Sequence, residues 1–225
     1  MKKFILITVM VLSLHCKDTG VPFDRSMSFA SSVKDGILPY FKGNNLDPVW
    51  PEKENMPADL RGLNDISLKN QNEETVTALN LKGKYVIAAF FFASCVGICP
   101  MITLNMKKVS SEIDNQSDLV FISITVDPER DSPGVLRKYI REQKINQSNW
   151  HFLTGEKSSI YSLARTQFNA DVAVNEKDDL RDFVHSENIY LLDKSLLLRG
   201  MYRGRGYADL KRLIKDLKLL RKNNG

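Results

Sequence analysis

The chain is poor in the residues that usually announce a chemistry. Cysteine occurs three times in 225 residues, as Cys16, Cys95 and Cys99, and histidine three times, as His15, His151 and His185. So few cysteines exclude a scaffold held together by several disulfides. No proline follows Pro133. No apolar run reaches the eighteen or so residues that a membrane-spanning helix needs, and no internal repeat or low-complexity tract is visible. Charge of one sign is also lacking in excess: 32 basic residues face 27 acidic ones, a net +5. That is too mild to imply nucleic acid. The basic residues concentrate only between Lys211 and Lys222, where a solvated helix face accounts for them.

What is present begins with a leader. Lys2 and Lys3 precede a largely apolar run of eleven residues, 4–14, the proportions of a secretory signal. The run ends at Ser13-Leu14-His15-Cys16. A cysteine there suggests lipidation of Cys16, although Ser13 and His15 depart from the usual lipoprotein box. Residues 1–15 are read as a signal peptide, 16–37 as a polar tether and 38–225 as one folded domain. The domain is expected to be exported to a bacterial cell envelope and held at its membrane by the N-terminal anchor. Residues 38–57, LPYFKGNNLDPVWPEKENMP, read as an irregular or extended segment packed on the domain surface.

From Ile66 onward the pattern is α/β. ISLKN and ETVTALN read as two short strands around a turn at Asn70-Gln71-Asn72. YVIAAFFF (85–92) is a continuous apolar run, as in a strand covered on both faces, and LVFISITV (119–126) reads as a second buried strand. Pro100 suits the first turn of a helix continued by Met101, Leu104, Lys108 and Glu112; Ser132 and Pro133 suit an N-cap and first helical residue. WHFL (150–153) reads as a strand and 158–168 as a helix. Residues 171–185 are a charged hairpin or loop. NIYLLD and LLLRGMYRG flank a turn at Asp193-Lys194-Ser195, and Leu210, Leu213, Ile214, Leu217 and Leu220 give a final amphipathic helix. A cysteine pair between a buried strand and a helix start, followed by these elements, describes a thioredoxin-like fold: a central mixed sheet flanked by helices, with a β-hairpin near the C-terminus.

The chemistry centres on FFFASCVGICPM, residues 90–101. Cys95 and Cys99 could form a structural disulfide, a redox pair or part of a metal site. A disulfide closing so small a loop restrains the unfolded chain little, which favours a chemical role. At a helix start, unpaired N–H groups and the helix dipole favour a thiolate at Cys99. Two thiolates suit a soft cation such as Cu(I). Where thioredoxins place a cis-proline facing the pair, this chain reads Phe183-Val184-His185-Ser186. An imidazole there would complete a Cys, Cys, His set able to hold copper as Cu(I) or Cu(II). A lone histidine after a charged loop is also compatible with a solvent-facing side chain. His151 reads as structural. Met101, Met106 and Met201 could be thioether ligands, but core packing explains them better.

These blocks together resemble the Sco/SenC family of cytochrome c oxidase assembly proteins. FFFASCVGICPMIT resembles its Cys-x-x-x-Cys-Pro block and VDPERDSPGVLRKY its Asp-Pro-Glu-Arg-Asp block. WHFLTG and HSENIYLLDKSLLLRGMYRG, with His185 leading, resemble two more. The resemblance implies a copper chaperone that binds through Cys95, Cys99 and His185 and matures the copper centre of an oxidase subunit. Asp127 would tune the ligands or the partner surface, and Asp131 would support the turn into the following helix. The partners implied are the copper-bearing oxidase subunit or another copper chaperone. The alternatives are a thiol–disulfide oxidoreductase that keeps the acceptor's cysteines reduced, and a redox or copper sensor. A peroxiredoxin fits less well, because the Thr or Ser it needs three residues before its reactive cysteine is missing.

Overall fold

The computed structural model describes residues 34–223 except 35, 64, 115, 116, 171, 172, 175–182, 185 and 186. In chain order the elements are β1 (Tyr40–Lys42), β2 (Asp47–Val49), a 3-10 turn (Lys53–Asn55), β3 (Ser67–Asn70), β4 (Thr75–Thr77), α1 (Ala78–Leu81), β5 (Tyr85–Phe91), α2 (Ile98–Ser111) and β6 (Leu119–Thr125). There follow α3 (Pro133–Glu142), β7 (Trp150–Thr154), α4 (Lys157–Phe168), β8 (Ala173–Val174), β9 (Phe183–Val184), β10 (Asn188–Leu192), β11 (Leu198–Arg203) and α5 (Tyr207–Asn223).

Seven strands form one mixed sheet in the order β11-β10-β5-β6-β7-β3-β4. β5, β6 and β7 run parallel; β10 joins β5, and β3 joins β7, antiparallel. Every residue of β5 and β6 is buried, including the polar Ser123 and Thr125, whose hydroxyls find partners in the Trp150 indole N–H and Asp131. The side-chain period of two divides their contacts. Phe90 meets Phe168 of α4 edge-on at 5.6 Å, whereas its neighbour Phe91 meets Tyr139 of α3 at 5.3 Å. α2 shares the α3 face through Thr103 Oγ1 and the Tyr139 hydroxyl, 2.9 Å apart. α5 lies on the same side, because the Tyr85 hydroxyl donates to the Leu220 carbonyl.

The expected C-terminal hairpin is β10–β11, closed by the turn at Asp193. Ser132 caps α3 by accepting from the Val135 N–H, with Pro133 as first helical residue. Two local expectations change. ETVTALN is a strand only to Thr77; Thr77 and Asn80 then form a reciprocal cap that starts α1. Residues 38–57 contain the β1–β2 hairpin, whose Phe41 is buried along with Leu38 and Leu46. That hairpin is held to the sheet by Arg199. Its guanidinium donates to the carbonyls of Leu38 and Pro39, pairs with Asp193 at 2.9 Å and stacks 3.8 Å above the Tyr40 ring.

Candidate metal and redox site

The cysteines sit where β5 delivers the chain to α2. β5 ends at Phe91, a short loop carries Cys95, and Cys99 is the second residue of α2 behind the N-cap Gly97. The Cys95 N–H donates to the Phe92 carbonyl at 3.3 Å, which folds the loop back on the strand end. Cys99 is fully buried and Cys95 half-buried. The two sulfurs are hydrogen-bonded to one another. That contact, followed by burial, pushes the Cys99 thiol far above the ordinary thiol range; a backbone hydrogen bond at Phe92 opposes them, and the nearby Cys95 and Asp131 charges add to the rise. Cys99 stands at the helix start, as its spacing before Pro100 predicts, and its proton is held there by the contact with Cys95 and by burial.

Asp131 holds the loop from beneath. It is buried, and its Oδ2 accepts from the Ala93 N–H at 2.9 Å and from the Thr125 hydroxyl. One carboxylate oxygen thus ties the cysteine loop to the end of β6. Burial raises the Asp131 carboxyl above its ordinary range, against the two hydrogen bonds that favour the ionised form. The expected support of the turn into α3 is present, the Asp131 N–H donating to the Asp127 carbonyl at 2.9 Å; the bond to Ala93, 38 residues earlier, has no local signal. The Asp127 carboxylate is buried and pairs with Arg130, while its N–H donates to Thr125 Oγ1 at 3.0 Å. Tyr139 is a further residue that sequence reasoning missed. Its ring packs under Phe91, and its ionisation is pushed up by burial and by the nearby cysteines.

His185 and Cys16 lie outside the described residues. Phe183 and Val184, just before His185, pair antiparallel with Val174 and Ala173, a hairpin within the expected 171–185 stretch. Among the described residues no group of three or more His, Cys, Asp or Glu side chains stands ready to hold a metal. The donor set that is described fits a soft ion: two adjacent sulfurs, one reachable from solvent. Met106 and Met201 are buried in the core, but Met101 is 43% exposed on α2, so packing does not account for it. His151 is half-buried near Asn70 and holds its proton less tightly than usual because of that burial.

A mixed sheet with a dithiol between a parallel strand and its following helix defines a thioredoxin-like protein. The SCO1/SenC family model matches residues 58–220, and the chain belongs to that family. The SCO1 protein homolog of Bacillus subtilis is 31% identical over 154 residues, spanning 68% of this chain and 79% of that protein. The crystal structure of a SCO1/SenC family lipoprotein from Bacillus anthracis superposes with a TM-score of 0.66 at 29% identity, covering 71% of this chain and 95% of the other. BsSco, described as having a disulfide switch and as a member of the Sco family of cytochrome c oxidase assembly proteins, gives 0.61 at 29% identity over 70% and 92%. Arabidopsis thaliana ScoI, solved with copper bound, gives 0.56 at 29% identity over 70% and 96%.

Proposed function

We propose that this protein carries copper on Cys95, Cys99 and His185 and passes it to the copper centre of a cytochrome c oxidase subunit, directly or through another copper chaperone. The observation that carries the reading is the contact of the two sulfurs, one buried and one half-buried, on a loop held by Asp131. Copper is cargo here. Taking it up expels the Cys99 proton, and the more accessible Cys95 is the sulfur from which an acceptor's ligand can first draw the ion away. Asp127 is assigned to shaping the neighbouring surface through its pair with Arg130. The similarity to a SCO1/SenC family lipoprotein of Bacillus anthracis, and the leader ending at Cys16, support an envelope protein with signal 1–15, tether 16–37 and domain 38–225, anchored at the membrane.

The test is titration of the reduced protein with Cu(I) and Cu(II), beside Cys95→Ser, Cys99→Ser and His185→Ala. The parent should hold one copper, either cysteine variant should lose it, and His185→Ala should lose Cu(II) retention most. A His185→Ala protein that retains copper like the parent and still supports oxidase assembly would overturn the reading.

The sulfur contact also favours a second reading. A half-buried attacking thiol above a buried resolving thiol can reduce an acceptor disulfide: Cys95 and Cys99 become joined, and two electrons and two protons pass to the acceptor's sulfurs. That activity needs both cysteines but survives His185→Ala.

A further inference from the structure

The end of the domain opposite the cysteines carries its own surface. β5 runs from Tyr85 towards the thiols, so the residues just before Tyr85 mark the far pole, about 20 Å away at ~3.3 Å per strand residue. Four contacts gather separate elements there. The Gly83 N–H donates to the Lys194 carbonyl in the β10–β11 turn, and the Tyr85 hydroxyl donates to Leu220 near the end of α5. Arg221 pairs with Asp118, just before β6, and the Asn223 side-chain amide donates to the Gly36 carbonyl at 3.0 Å. The last contact places the entry of the chain into the domain, at Lys34 and Gly36, beside the end of α5.

This pole is basic. Lys34, Lys82, Lys218 and Lys222 are exposed, and Lys84 and Lys194 are half-exposed. Lys218 and Lys222 share one face of α5 at a spacing of four. Among the described residues Lys82, Lys218 and Lys222 form no ion pair with a carboxylate. The acidic groups placed there by the β6 entry are Asp118, which Arg221 engages, and Asp114. Basic residues at a helix C-terminus complement the helix dipole, which explains Lys222. It does not explain lysines converging from the N-terminal entry, the turn before β5 and the β10–β11 turn.

We propose that this pole is a docking surface for an anionic lipid bilayer. The occupant follows from charge complementarity and from the place of chain entry: the segment read as a tether reaches the domain at the lysine cluster, so a membrane holding that tether meets this pole first. Docking there directs the cysteine end away from the bilayer. Each lysine near an anionic surface strengthens association roughly fivefold. The proposal rests on the membrane anchoring proposed above.

The test uses the full 225-residue chain reconstituted with phosphatidylcholine vesicles and with vesicles of phosphatidylcholine and phosphatidylglycerol, recovered by flotation and labelled with an amine-reactive acylating reagent. Labelling of Lys82, Lys218 and Lys222, read by mass spectrometry, should fall at least fivefold on the anionic vesicles and recover at about 0.5 M salt. Lys69 and Lys157, at the cysteine end of the sheet, should label equally on both. Lys82→Glu combined with Lys222→Glu should abolish the protection of Lys218. Recovery on both lipids with equal labelling of the pole would overturn the docking surface alone, as would protection of Lys69 and Lys157 to the same degree. Failure to float with either lipid would overturn the anchor and the docking surface together.

Discussion

The Asp131 carboxylate and the Ala93 N–H are 2.9 Å apart although 38 residues separate them, and this bond fixes the height of the cysteine loop over the sheet. Asp131→Ala leaves that N–H and the Thr125 hydroxyl without their acceptor, each worth ~1–3 kcal/mol when buried. Denaturant unfolding should show a loss of roughly that size. Asp131→Asn keeps an acceptor for Ala93 and should recover part of it. Because the Asp131 charge raises the Cys99 ionisation, Asp131→Asn should also speed alkylation of the reduced pair at fixed pH, an effect that a purely structural role would not produce.

The thiol pair makes a second prediction. Iodoacetamide should modify half-buried Cys95 before buried Cys99. The folded Cys99 thiol ionises above its ordinary value of 9.0, so the unfolded chain gives up that proton first as pH rises. The stabilisation is therefore complete below about 9 and declines above it. Reduced parent protein should lose stability as pH climbs past that point, whereas Cys99→Ser should follow a flatter profile. Cys95→Ala removes the principal cause of the shift and should bring thiolate absorbance in at lower pH.

His151 should set part of the opposite limb. Burial lowers its folded ionisation below the ordinary 6.5, so protonation is easier in the unfolded chain. Its contribution is present above 6.5 and lost as pH falls through the folded value. Chemical denaturation midpoints measured between neutral and mildly acidic pH should drop for the parent and drop less for His151→Gln.

Much of this was legible in the sequence. YVIAAFFF and LVFISITV declared strands with no solvent face, and α3, α4 and α5 supply the cover those runs demand. The cysteine loop was legible because a strand leads into it and Pro100 fixes a helix start behind it. Cys99's ionisation was not, since spacing reports the helix end but not the depth of burial or the neighbouring sulfur. The bond from Asp131 to Ala93 was hidden for a related reason: it joins the ends of two parallel strands whose pairing only the assembled sheet establishes. α1 was missed because the β-branched run to Thr77 hid the reciprocal cap with Asn80. His185, central to the proposed ligand set, lies outside the described residues; its signal in the sequence was the Phe183-Val184-His185-Ser186 run ahead of β10.

Arg199 gives the domain an order of assembly. It grips the carbonyls of Leu38 and Pro39 from 160 residues further along, within the hairpin that also pairs with β5. A chain made from its N-terminus presents the first hairpin early and its clasp almost last. The β1–β2 flap can close only after the sheet has received its final strands, so resistance of that flap to protease reports a molecule whose folding is finished.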